Sequence, residues 1–116
     1  MDRSQAPSSR ALHEVNYRLE IRPDALKDIE DAGAWYEEHE AGLGTDFVKT
    51  VLESIDSLLG NPFVHRLRDR RRNVRWILTD RFPYKVVYKT SDHYVTVVAV
   101  LHTARHEERW KERLPI

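Results

Sequence analysis

Hydrophobic and polar positions alternate at the start of the patterned part of the chain. In "YRLEIR", Tyr17, Leu19 and Ile21 fall on one side and Arg18, Glu20 and Arg22 on the other, which is the period of a half-buried strand. Pro23 ends that strand and suits the first turn of a helix, where Asp24, Asp28, Glu30 and Asp31 favour the positive N-terminal end. The period then changes. Leu26, Ile29, Gly33 and Tyr36 recur at spacings of three and four, with Ala25, Ala32 and Trp35 beside them, and predict an amphipathic helix of about four turns. "GLG" at 42–44 breaks it, and Thr45 or Gly44 is expected to cap a second helix. Its apolar stripe of Phe47, Val48, Val51, Leu52, Ile55, Leu58 and Leu59 runs until Gly60, Asn61 and Pro62 stop it. Two helices joined by so short a turn form an αα-hairpin.

Beyond a basic connector, "VRWILT", "YKVVYK" and "HYVTVVAVLH" read as three strands separated by "DRFP" and "TSD" turns. The order is βααβββ. It predicts an α+β fold in which the αα-hairpin packs on one face of a small, mainly antiparallel sheet. Strict alternation then assigns faces: Val74, Trp76, Leu78, Tyr84, Val86, Tyr88, Val95, Val97, Ala99 and Leu101 are expected under the helices. The helix-free face is expected to gather Arg75, Lys85 and Lys89, with His102 at its end and Arg105 and His106 at its rim. Val87, Val98 and Val100 would also lie there, and such residues call for a cover. The expected cover is a partner or Trp110 of the C-terminal segment.

Length adds that there is one domain, expected over residues 16–116, preceded by a polar leader at 1–15 without periodicity. The chain has no cysteine, so disulfides and thiolate metal clusters are excluded. No apolar stretch approaches the roughly 20 residues that cross a bilayer. These features lead to the expectation of a cytoplasmic protein without membrane contact. The net charge is zero but unevenly placed: Asp24 to Asp56 holds ten acids against Lys27 and Lys49, whereas Ser57 to Ile116 holds thirteen Lys and Arg against six acids. The basic half is therefore where an anionic partner is sought.

The element order together with "YEEHEAGLGTDFVKTVLESIDSLLGNP", "FPYKVVY" and "VTVVAVLHTARHEERWKERL" resembles the RelE/ParE superfamily of type II toxins, from Tyr17 to Leu114. The resemblance implies a small toxin that forms a hetero-oligomer with a cognate antitoxin and needs no cofactor. ParE-like members act on DNA gyrase by binding, and this branch is favoured. RelE-like members cut mRNA on the ribosome, the alternative; a degenerate member would retain antitoxin binding only. In the ribonuclease branch the resemblance places catalytic roles on Lys85 and Arg105, with Arg75 standing for a lysine of the second strand. A further lysine and a C-terminal tyrosine of that branch fall near Ile77 and Trp110 and are missing. Cleavage through a 2′-hydroxyl needs a proton acceptor and a proton donor, each contributing about 10²- to 10⁴-fold. Arginine accepts protons poorly, so His102 or His106 would have to serve.

Each of these residues also has a plainer role. "RLRDRRRNVR" reads as a solvated connector paired with the acidic helices, Lys85 and Lys89 as lysines guarding an exposed sheet, and Trp35, Trp76 and Trp110 as packing residues. His102 and His106 lack a third ligand, so no metal site is expected.

Overall fold

The computed structural model describes residues 17–104 and 109–114. The expected leader, residues 1–15, lies outside the described residues. Strand β1 (Arg18–Ile21) leads into helices α1 (Pro23–His39) and α2 (Leu43–Leu58). Strands β2 (Leu67–Asp69), β3 (Val74–Leu78), β4 (Tyr84–Thr90) and β5 (Tyr94–His102) follow, and a short helix, α3 (Arg109–Arg113), comes last. The sheet order is β1-β5-β4-β3-β2, with β1 parallel to β5 and every other pair antiparallel. The βααβββ architecture is as expected, with β2 and α3 added to it.

The hairpin turn is capped from the preceding helix. Gly42 takes a left-handed conformation (φ 89°) as the N-cap of α2. The Glu37 carboxylate accepts the N–H groups of Gly42 at 2.9 Å and Gly44 at 3.0 Å, so neither Thr45 nor Gly44 supplies the cap. The two helices then approach closely. A side chain at Gly44 would collide with the Gly33 carbonyl oxygen and come within 2.9 Å of Glu37 Cβ.

The sheet is buried on both sides. Ala25, Ile29 and Ala32 of α1 and Phe47, Val51, Ile55 and Leu58 of α2 pack on Val86, Tyr88, Val95, Val97 and Val100. Phe47 is the centre of an aromatic group, 4.9 Å from Tyr84 and 5.2 Å from both Tyr36 and Phe82. On the opposite face Val74, Val87, Val98, Ala99 and Leu101 are covered by Trp110 and Leu114. Two cores on one sheet explain why β5 reads as an almost unbroken apolar run.

The expected face assignment needs two corrections. In β5, Val87 is opposite Ala99 and Tyr88 opposite Val97, which leaves Val98 as an extra residue, a β-bulge. Beyond it the sides exchange: Val100 joins the helix-side core, while Ala99 and Leu101 join the outer one. In β3 the parity is reversed throughout, since Ile77 packs under the helices and Val74 and Trp76 belong to the outer core. Both sides of β3 carry apolar residues, so hydrophobicity alone does not select the side facing the helices.

Candidate functional site

The outer face of the sheet is where the basic half of the chain meets an aromatic surface. Trp76 of β3 carries two cations: Lys85 Nζ lies 4.1 Å from its ring centre and the Arg68 guanidinium carbon 4.6 Å. Such contacts contribute about 0.5–1 kcal/mol each at exposed sites. Trp110 meets the same indole edge-on at 6.3 Å, and Lys111 Nζ lies 5.5 Å from the Trp110 ring. Lys89, on the same face, borders a depression with Glu20, Thr96 and Leu114.

Helix α3 is held on this face by two arginines. Arg113 donates to both oxygens of Asp28, at 2.9 and 3.2 Å, and to the Val98 carbonyl at 3.0 Å. The hydrogen bonds from Arg113 to Asp28 hold the guanidinium above its ordinary pKa, against the opposing effect of burial. Asp28 also accepts the Val100 N–H at 2.9 Å, so one α1 carboxylate ties together the bulged strand and the C-terminal helix. Arg72 donates through Nε to the Leu114 carbonyl at 3.1 Å and pairs with Asp69 at 3.0 Å. The face is therefore covered from within the chain, as expected of Trp110, rather than open.

Of the sequence-predicted residues, Lys85 and Lys89 share this face. Arg75 does not. It lies on the helix side of β3, where its Nε donates to the His65 carbonyl at 2.8 Å and its guanidinium carbon sits 5.2 Å from the Phe63 ring centre. His102 also falls on the helix side, because the bulge moves it there; its ring meets Tyr84 at 5.2 Å and its Nδ1 accepts the Ala104 N–H at 3.0 Å. That bond leaves the neutral ring's proton on Nε2. Arg105 and His106 lie outside the described residues. Tyr84 and Lys85 are neighbours in β4 and point to opposite faces, so Lys85 and His102 are on opposite sides of the sheet.

Sequence reasoning missed Arg68 as a partner of Trp76, and it missed the Asp28–Arg113 contact. Asp28 counts there only as one of several acids in the first turns of α1, and nothing in "RWKER" marks Arg113 above its neighbours.

A second surface lies on the sheet-distal side of the hairpin. There α1 and α2 enclose an open groove of about 930 Å³, with Gly33, Ala34, Val48 and Leu52 among its lining and Glu30, Glu37, Glu53 and Asp56 also along it. Among the described residues no group of three or more His, Cys, Asp or Glu is placed to hold a metal ion, and no helix is long and apolar enough to cross a membrane.

The fold is similar to that of chains from solved toxin–antitoxin structures. The chain is similar to one from the chromosomal ParDE system of P. aeruginosa, with TM-score 0.64, 14% identity, and 75% of this chain and 96% of that one covered. It is also similar to one from the RelBE2 toxin–antitoxin complex of Mycobacterium tuberculosis, with TM-score 0.55, 21% identity, and 78% and 95% covered. No curated protein matches the chain. Residues 19–107 match the ParE toxin of the type II toxin–antitoxin system, parDE. The chain belongs to that family.

Proposed function

We propose that this protein is a ParE-like toxin that inhibits DNA gyrase by binding it, and that a cognate antitoxin neutralises it. One observation carries the choice over RNA cleavage: Lys85 lies on the outer face, whereas Arg75 and His102 lie on the helix side. A proton acceptor, a proton donor and a phosphate-holding cation must converge within hydrogen-bond reach of one phosphodiester. Among the described residues Lys85 is divided by the sheet from Arg75 and His102, which supports binding over cleavage. Family membership supports the toxin role.

For the antitoxin, the groove between α1 and α2 fits an amphipathic helix. Its apolar lining suits an i, i+3, i+4 stripe, and Glu30, Glu53 and Asp56, set against Lys49 as the single cation among the described residues that line it, suit basic flanks. The acidic half of the sequence lies in this hairpin, so complementary charge would accelerate encounter.

A second reading, a RelE-like ribosome-dependent ribonuclease, draws on the Arg68–Trp76–Lys85 cluster, which joins a ring to two cations as single-stranded RNA contacts do. The two readings separate when the toxin is induced without its antitoxin while DNA supercoiling and transcript ends are followed together. Loss of supercoiling with intact transcripts is expected. Transcript cleavage that disappears in Lys85→Ala would replace the gyrase reading with the ribonuclease one.

A further inference from the structure

Among the described residues strand β1 forms one edge of the sheet, and its outward side has a definite pattern. The Arg18 N–H donates to the His93 carbonyl at 2.7 Å and the Arg22 N–H to the Val97 carbonyl at 3.0 Å. In a parallel pair the amides facing the neighbour belong to alternate residues, so Arg18, Glu20 and Arg22 point their backbone groups at β5. The backbone groups of Tyr17, Leu19 and Ile21 therefore point away from the sheet. Side chains alternate between the two faces: Tyr17, Leu19 and Ile21 lie on the helix side, and Arg18 and Glu20 on the outer side, where Glu20 accepts from the Thr96 hydroxyl at 3.2 Å. Leu19 is 40% exposed, a large apolar residue at the middle of an edge that no other described strand covers.

We propose that this edge pairs with the same edge of a second copy, antiparallel about a two-fold axis through Leu19. The register follows from charge. With Leu19 opposite its own copy, Arg18 of each chain faces Glu20 of the other, giving two opposite-charge pairs related by the axis. The outward backbone groups of Leu19 meet those of Leu19, and the outward groups of Tyr17 meet those of Ile21, so each free amide of the strand finds a carbonyl. Tyr17 and Ile21 then form aromatic–β-branched pairs on the helix side. An axis through Glu20 would oppose Glu20 to itself. An axis through Ile21 would set Leu19 against Pro23, which has no N–H to donate. Only the Leu19-centred register satisfies both charge and hydrogen bonding, and the product is one continuous sheet running through both copies.

Sedimentation of the free chain over a concentration series tests this. A reversible monomer–dimer equilibrium is expected. Arg18→Glu and Glu20→Arg should each weaken association by about tenfold or more, since each places two like-charge pairs across the axis. Mixed in equal amounts, the two variants should associate again, because every pair across the axis then sets an acid of the first variant against a base of the second. Leu19→Pro, whose lost N–H points away from β5, should abolish the dimer while leaving the circular dichroism spectrum unchanged. A wild-type chain that stays monomeric to about 1 mM, the weak end of specific association, would overturn the proposal and leave the edge to a different partner strand. So would a dimer that neither charge reversal weakens, or a mixture that fails to recover.

Discussion

Asp28 and Arg113, 85 positions apart in sequence, form a two-pronged ion pair in which both side chains are only 14% exposed. The same carboxylate accepts the Val100 N–H, immediately after the residues that make the bulge. An acid whose sequence signal is a helix N-terminus thus serves as the junction between α1, β5 and α3. Removing one partner of such a pair strands the other and an amide with it. Asp28→Ala should therefore destabilise the protein by about 3 kcal/mol, measured by denaturant unfolding. Arg113→Ala should cost less, because Asp28 keeps the Val100 amide. The coupling between the two substitutions in a double-mutant cycle should exceed about 1 kcal/mol.

The hairpin crossing makes two glycines unequal. A methyl at Gly44 meets backbone, the carbonyl of Gly33, which cannot move aside without shifting a helix. A methyl at Gly33 lies 3.1 Å from Val48 Cγ2, the end of a half-buried side chain. Gly44→Ala should cost about 2–3 kcal/mol, the usual range for overpacking against a rigid neighbour. Gly33→Ala should fall within about 1 kcal/mol of wild type, since the gain in helix propensity offsets the small displacement. Thermal unfolding of the two variants side by side gives the comparison.

Trp110 covers the outer core and is 3% exposed, yet its Nε1 has no hydrogen-bond partner among the described residues. Trp110→Ala should destabilise by about 3–5 kcal/mol through cavity formation, and should expose Val87, Val98 and Leu101 to a hydrophobic dye. Trp110→Phe keeps most of the packing and deletes the unpaired donor, so its cost should be well under half that of the alanine variant.

Glu37 sets a pH dependence. Hydrogen bonds from Gly42 first, then from Gly44 and Thr45, hold its carboxyl below the ordinary value of 4.5 despite some desolvation. A carboxylate with a depressed folded-state pKa contributes stability above the unfolded value and loses it as the pH falls through the folded one. Glu37→Gln should therefore be less stable than wild type at neutral pH. The two unfolding curves should converge below pH 4.5, as wild-type Glu37 becomes protonated.

Tyr88 governs the alkaline side. Its hydroxyl donates to the Pro62 carbonyl at 2.7 Å, and burial, partly opposed by the nearby Arg75 charge, pushes its pKa to about 12. The neutral phenol is favoured in the fold, so its contribution is complete below the ordinary value of 10.0 and is lost as the pH rises through the folded value. Ultraviolet difference titration should show one tyrosine ionising near pH 12, absent in Tyr88→Phe.

The element order is legible in the sequence because its signals are local. Period two at Tyr17–Arg22, period 3.6 from Leu26 to Tyr36 and from Phe47 to Leu59, and the breaks at Gly42 and Pro62 depend on neighbours in sequence. The faces of β4 are legible for the same reason, since Tyr84, Val86 and Tyr88 alternate cleanly against Lys85, Val87 and Lys89. What escapes is anything decided across the sheet. The side taken by Arg75 depends on the His65 carbonyl and the Phe63 ring, and the side taken by His102 depends on one surplus residue opposite Val87 and Tyr88. Both are contacts between segments, invisible to a window that moves along the chain. The cover over the outer face is legible through its apolar residues, because Val87 and Val98 demand it.

The surplus residue at Val98 also fixes how the chain departs from the sheet. Val95 and Val97 before the bulge and Val100 after it answer to the helical hairpin, while Val98, Ala99 and Leu101 answer to the C-terminal helix. Forcing the same residues into unbroken alternation would turn His102 outward and Leu101 toward the hairpin, whereas deleting Val98 would leave both where they are and keep Val97 and Ala99 opposite Tyr88 and Val87. A missing codon there would therefore be felt locally, as the loss of one apolar side chain from the outer core and of the carbonyl that Arg113 grips, while every later side chain keeps its address.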